Sequence, residues 1–169
     1  MIVVEDIIGK VIERAFKKTD IKPFYHYGTI REIVDTLNQL NNAGMKKYPL
    51  IALIEPFQSS ITGEGLTANL RLLFATYTEK TLKAPERLEE NYKKILFPVY
   101  EAFMSAFKRV SGSSNVNHTL INHFEMGRES LNGYEGSILN DHVDVLEVKD
   151  LSVYFRENDI CKLKTKKND

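Results

Sequence analysis

Val4, Ile7, Ile8, Val11, Ile12, Ala15 and Phe16 recur at three- and four-residue steps, with Glu5, Lys10, Glu13, Arg14 and Lys17 between them. That period lays the apolar residues along one face of a helix. It predicts a first helix, slightly weakened by Gly9. Lys22-Pro23 ends it, because the residue before proline is pushed toward extended angles. Phe24-Tyr25-His26-Tyr27-Gly28 is short, aromatic and closed by glycine, and reads as an extended piece. Thr29 opens a second helix, with Glu32 three residues on to complete a capping box. Ile30, Ile33, Val34, Leu37 and Leu40 form its stripe, and Gly44 is a left-handed stop.

Tyr48 to Pro56 is a strand bracketed by prolines, and Leu50 to Ile54 is apolar on both parities, so both faces should be covered. Residues 57–68, with Gly63 and Gly65, read as a long hairpin loop, and Asn69 to Thr78 as the return strand, with Leu70, Leu72 and Phe74 on one face. Between residues 85 and 110, Leu88, Tyr92, Ile95, Val99, Phe103, Ala106 and Val110 keep helical step throughout. Pro98 falls mid-way and should kink that helix without breaking it into two, since the stripe continues across it. Ser111 to Ser114 is a linker. Val116, His118, Leu120, Phe124 and Met126 share strand parity, broken by Asn122, and residues 127–142 read as a loop. Val143 to Phe155 is a last strand whose parity slips, which predicts a bulge or turn near Lys149-Asp150.

The order helix, short strand, helix, hairpin, long helix, strands predicts an α+β fold: a small antiparallel or mixed sheet with a long helix packed across it. One domain is expected over residues 1–158, with a loop or arm inserted at about 111–142 and a polar tail at 159–169. Lys and Arg number 23 and Asp and Glu 23, so the formal charge is zero. A dedicated nucleic-acid binder usually carries a basic excess, so no sequence-specific nucleic-acid role is expected. The single cysteine, Cys161, excludes an internal disulfide and fits a reducing compartment. The N-terminus meets Glu5 and Asp6 at once and lacks a signal-peptide pattern, and no apolar run approaches the ~18 residues of a membrane span. The chain is therefore expected in the cytoplasm when made, with no membrane partner.

Candidate chemistry is thin. His118, His123 and Glu125 are close in sequence, but on a strand His118 has the opposite parity to the other two. Helical zinc pairs need a four-residue step, and this one is five. Neither metal nor cofactor is expected. Asp141, His142 and Asp144 look like an acid–base cluster, but the preferred reading is a polar turn opening a strand. Gly63-Glu64-Gly65 lacks the rest of a phosphate loop. Cys161 has no histidine nearby in sequence to make it a nucleophile. The lysines at 162, 164, 166 and 167 suit a solvated tail. Phe24, Tyr25 and Tyr27 are either interface anchors or core, since tyrosine combines rigid area with a polar tip. With Phe57 and Tyr134 they are the interface candidates.

The stretch Phe24 to Ile33, followed by Lys47-Tyr48-Pro49-Leu50-Ile51-Ala52-Leu53, resembles small proteins encoded among tail and connector genes of phages and prophages of Bacteroidetes-type bacteria. The element order also resembles phage tail-terminator and neck proteins. The resemblance covers roughly residues 1–110 and 143–155, and residues 111–142 depart from it. It implies a virion structural subunit without catalytic residues, forming a homo-oligomeric ring at the head–tail junction beside tail, connector or portal proteins. The segments 57–68 and 111–142 would then supply partner contacts. The rival readings are a small enzyme using Asp141, His142 and Asp144, and a monomeric binding module.

Overall fold

The computed structural model describes residues 2–63, 65–111, 116–124 and 142–156. The chain is α+β, with α1 (Val4–Ala15), β1 (Phe24–Gly28), α2 (Ile30–Asn42), β2 (Leu50–Ile54), β3 (Gln58–Thr62) and β4 (Gly65–Tyr77) in the first half. A long helical rod follows, made of α3 (Ala84–Arg87), a π-helical stretch (Leu88–Leu96) and α4 (Phe97–Ser111); β5 (Thr119–His123) and β6 (Val143–Arg156) complete the fold.

The described strands form one mixed sheet in the order β1-β2-β4-β6-β5, with β3 also on β4. Only β1 and β2 are parallel, with α2 as their crossover; the other pairs are antiparallel. β4 is long enough to pair its first half with β3 and its second half with β2. α1 and the long rod cover one face, where Ile8, Val11, Leu53, Leu72, Phe74, Tyr92, Phe103, Phe107 and Phe155 pack together. α2 covers part of the other face through Ile33 and Leu37, against Leu50, Ala52, Leu73, Ala75 and Val145. Every residue of β2 is buried, as its unbroken apolar run requires when helices lie on both faces.

Several local signals act as the sequence predicts. The Thr29 side chain accepts from the Glu32 N–H, and the Glu32 carboxylate accepts from the Thr29 N–H at 2.8 Å. The register between β4 and β6 shifts between Leu70 and Leu72, and Asp150 takes φ 57°, which is the bulge expected at Lys149-Asp150. Pro98 lies inside the helical rod. The Phe97 N–H bonds Tyr92 O, five residues back. The π turns thus end directly before Pro98, which has no N–H and whose ring crowds the carbonyl four residues back in an α-helix.

One expectation needs correction. Residues 57–68 are not a loop: Gln58–Thr62 and Gly65–Asn69 form a regular ladder closed by a tight turn at Gly63. Hydrophobic parity could not reveal β3, because its one apolar residue, Ile61, is 81% exposed; main-chain bonds to β4 hold it. Within the segment 111–142, Thr119–His123 forms β5, where strand parity predicts a strand, and it is the outermost described strand on that side of the sheet. Residues 112–115, 125–141 and the tail 159–169 lie outside the described residues.

Candidate functional site

Two clusters of buried polar residues lie on opposite faces of the sheet. On the rod side, Asp144 of β6 is fully buried. Arg87 Nη1 donates to its Oδ1 at 3.2 Å and Asn91 Nδ2 to its Oδ2 at 2.6 Å. Asn91 Nδ2 also reaches Thr78 Oγ1, and Arg87 Nε donates to Leu82 O at 2.7 Å. Both carboxylate oxygens of Asp144 are therefore committed to tying the rod to the sheet, which is structural work. His142 is half-buried, its main-chain oxygen accepts from Thr78, and its Nδ1 is buried with no partner among the described residues. Asp141 lies outside the described residues.

On the opposite face, the carboxylate of Glu147 in β6 is 1% exposed. Arg71 Nε of β4 lies 2.7 Å from Oε1, His123 Nε2 of β5 lies 2.7 Å from Oε2, and Lys149 Nζ is 3.6 Å from Oε2. Burial alone would raise this carboxyl's pKa. The bonds from His123 and Arg71, with the charges of Arg71 and Lys149, outweigh burial and hold it below the usual range. The cluster clamps β4, β6 and β5 side by side. Sequence reading missed it because its members come from three strands and only the ladder register brings them together.

The two sequence-predicted histidines serve different faces. His118 receives the Tyr100 hydroxyl at 2.6 Å on the rod side, with its Nδ1 on Val116 O, while His123 meets Glu147. Glu125 lies outside the described residues, and among those described no three His, Cys, Asp or Glu side chains converge. Gly65 does not cradle a phosphate. It lies under the ring of Tyr154, so close that a Cβ there would sit 2.3 Å from the phenolic oxygen.

The interface candidates divide by position. Tyr25 is half-buried: its ring lies against Gly9 and its hydroxyl donates to Glu5 O at 3.0 Å. Phe24 packs onto the α2-side core and Phe57 onto the rod-side core, where Phe57 also borders a shallow cleft of about 320 Å³ between Pro56 and Lys149. Tyr27, on β1, is 48% exposed, and Tyr134 is outside the described residues. Sequence reading missed Leu120 and Phe124, which are 44% and 39% exposed. Tyr27 and Leu120 stand on the two outermost of the described strands, β1 and β5. Neither strand contains Lys, Arg, Asp, Glu or Pro, the residues that usually blunt a sheet edge against pairing.

No protein-family model matches this chain, and no curated protein matches it as a relative.

Proposed function

We propose that this chain is a structural assembly subunit that works in a ring at a phage head–tail junction, as a tail terminator or neck component of the virion. The observation that carries this proposal is the pair of unlike, uncharged edges, β1 and β5, at opposite ends of the sheet order. A ring forms when one patch meets a different patch on the next copy and the rotation closes. The resemblance of Phe24–Ile33 and Lys47–Leu53 to phage tail and connector proteins points the same way. The polar side chains of β6, Asp144 and Glu147, are spent on holding elements together, which suits a scaffold. The partners are other copies of the chain and neighbouring tail, connector or portal proteins. No described helix is long and apolar enough to cross a membrane.

The test is the particle. Phage assembled without this protein should yield heads and tails that fail to join, or tails of uncontrolled length. Particles that assemble normally and infect would overturn the proposal.

A further inference from the structure

Beyond the bulge, the ladders run level from β1 to β5. One row passes through Phe24, Leu50, Ala75, Val145 and His123; another passes through Tyr27, Leu53, Leu72, Val148 and Leu120. β1 and β5 are each five residues long and share four such rows, those of Phe24 to Tyr27 and of Leu120 to His123. From the pairings, β5 runs opposite to β1.

Main-chain hydrogen bonds between β1 and β2 and between β4 and β6 fix which way the main-chain groups point. Phe24 N–H bonds Pro49 O, and Gly28 O accepts from Glu55 N–H, so Phe24, His26 and Gly28 face β2. N–H and C=O of one residue point the same way and alternate along a strand. Tyr25 and Tyr27 therefore turn theirs outward. Further along the sheet, Thr78 N–H bonds His142 O, which fixes Leu72 and Phe74 toward β6. Alternation then turns Val145 and Glu147 toward β5, bonds Ile121 and His123 inward, and leaves Leu120 and Asn122 facing outward.

We propose that the β5 edge of one copy pairs with the β1 edge of the next, antiparallel and level, as a continuous sheet. Four independent features agree. Strand sense is antiparallel when both copies keep the same orientation. Strand length is equal. The outward-facing groups, Leu120 and Asn122 on one side and Tyr27 and Tyr25 on the other, fall in matching rows. Leu120 and Tyr27, both exposed, share a row and both point to the rod side, since their ladder partners Val148 and Leu53 belong to the rod-side core. Because the rows meet without offset, repeating the contact adds no step along the strand direction, which favours closure over a climbing filament. This inference deepens the ring proposal and rests on it for its setting, but its contact is specific enough to fail alone.

Disulfide trapping tests it. The variant Tyr27→Cys/Leu120→Cys, in a Cys161→Ser background, is oxidised as the full purified chain across a concentration series. Directly opposed residues of a hydrogen-bonded antiparallel pair have Cα atoms about 5.5 Å apart, within the span a disulfide bridges. Within one copy the two sites are separated by four strand spacings of about 4.8 Å each, too far to link. The expected result is a ladder of covalent multimers, with peptide mapping that shows the linkage from position 27 to position 120; each single-cysteine variant should stop at dimers. A folded double variant that stays monomeric on the gel at every concentration, or that links only like positions, overturns the edge contact. Two further outcomes separate the two proposals. Failed head–tail joining without the protein, together with no 27-to-120 linkage, removes this contact and leaves the junction role. Linkage with normal particles in the protein's absence does the reverse.

Discussion

The hydroxyl of Tyr92 lies 2.9 Å from the main-chain oxygen of His123 and 3.0 Å from that of Val145, so one side chain of the π stretch spans the pair β5–β6. Its ring is fully buried and packs on Phe124 with centroids 5.0 Å apart. Burial, and then the charge of Asp144, push its ionisation far above the ordinary phenol range, so it remains a neutral donor. Tyr92→Phe keeps the ring and removes the donor. We expect a loss of about 1 kcal/mol, with faster amide hydrogen exchange across β5 than elsewhere in the sheet. Exchange unchanged at residues 119–123 would show that the hydroxyl does not hold this edge.

The buried pair Arg87–Asp144 sets a second expectation. Side-chain exposure is 4% and 0%. Removing one partner of such a pair strands the other charge, at a cost of roughly 3–5 kcal/mol, whereas replacing both with apolar residues of similar volume is often neutral. Asp144→Ala should therefore lower the melting temperature far more than Arg87→Met/Asp144→Leu does. A double variant as unstable as the single one would show that the hydrogen bonds to Leu82 O and Asn91, rather than the charge pair, matter most.

Leu53→Asp and His142→Ala should behave oppositely. Leu53 is fully buried in β2, between Tyr27 and Leu72 in its row. An unpaired buried carboxylate costs several kcal/mol, against a total domain stability of ~5–15 kcal/mol. The Leu53→Asp protein should be insoluble or unfolded. His142 is half-buried, its main-chain bond survives substitution, and its Nδ1 has no partner to lose among the described residues. Circular dichroism and thermal melting of both proteins decide the point, and a cooperative, wild-type-like melt for Leu53→Asp would refute the buried-strand account.

Where apolar periodicity and caps determine structure, the sequence was readable. α1, the Thr29–Glu32 box, β2, the rod through Pro98 and the bulge at Lys149-Asp150 all leave local marks. β3 left none, because its one apolar residue, Ile61, is exposed and the strand pairs with β4 through the main chain. β5 was legible as strand parity, but its place at the edge depends on a long-range pairing with β6 that periodicity does not encode. The Glu147 cluster is hidden for the same reason: Arg71, His123 and Glu147 meet only after three strands are in register.

Glu147 gives the expectation with the clearest sign. Its carboxyl ionises below the usual range in the folded chain, because the bonds from His123 and Arg71 and the nearby positive charges outweigh the opposing effect of burial. An unfolded glutamate ionises near about 4.3. Between the folded value and the unfolded one, the unfolded chain holds more protons, so stability rises with pH across that interval. The contribution is fully present above the unfolded value and is lost as pH falls through the lower, folded one. Glu55 works in the opposite sense, since burial and Glu5 raise its carboxyl above the ordinary range. Subtracting a Glu147→Gln variant from the wild type cancels that term. The expected outcome is a stability advantage of wild type over Glu147→Gln in urea titrations near about pH 6 that shrinks as the pH approaches about 3. An advantage that stays constant with pH would mean that the glutamate acts through its shape and hydrogen bonds alone, and that Arg71, His123 and Lys149 do not recognise its charge.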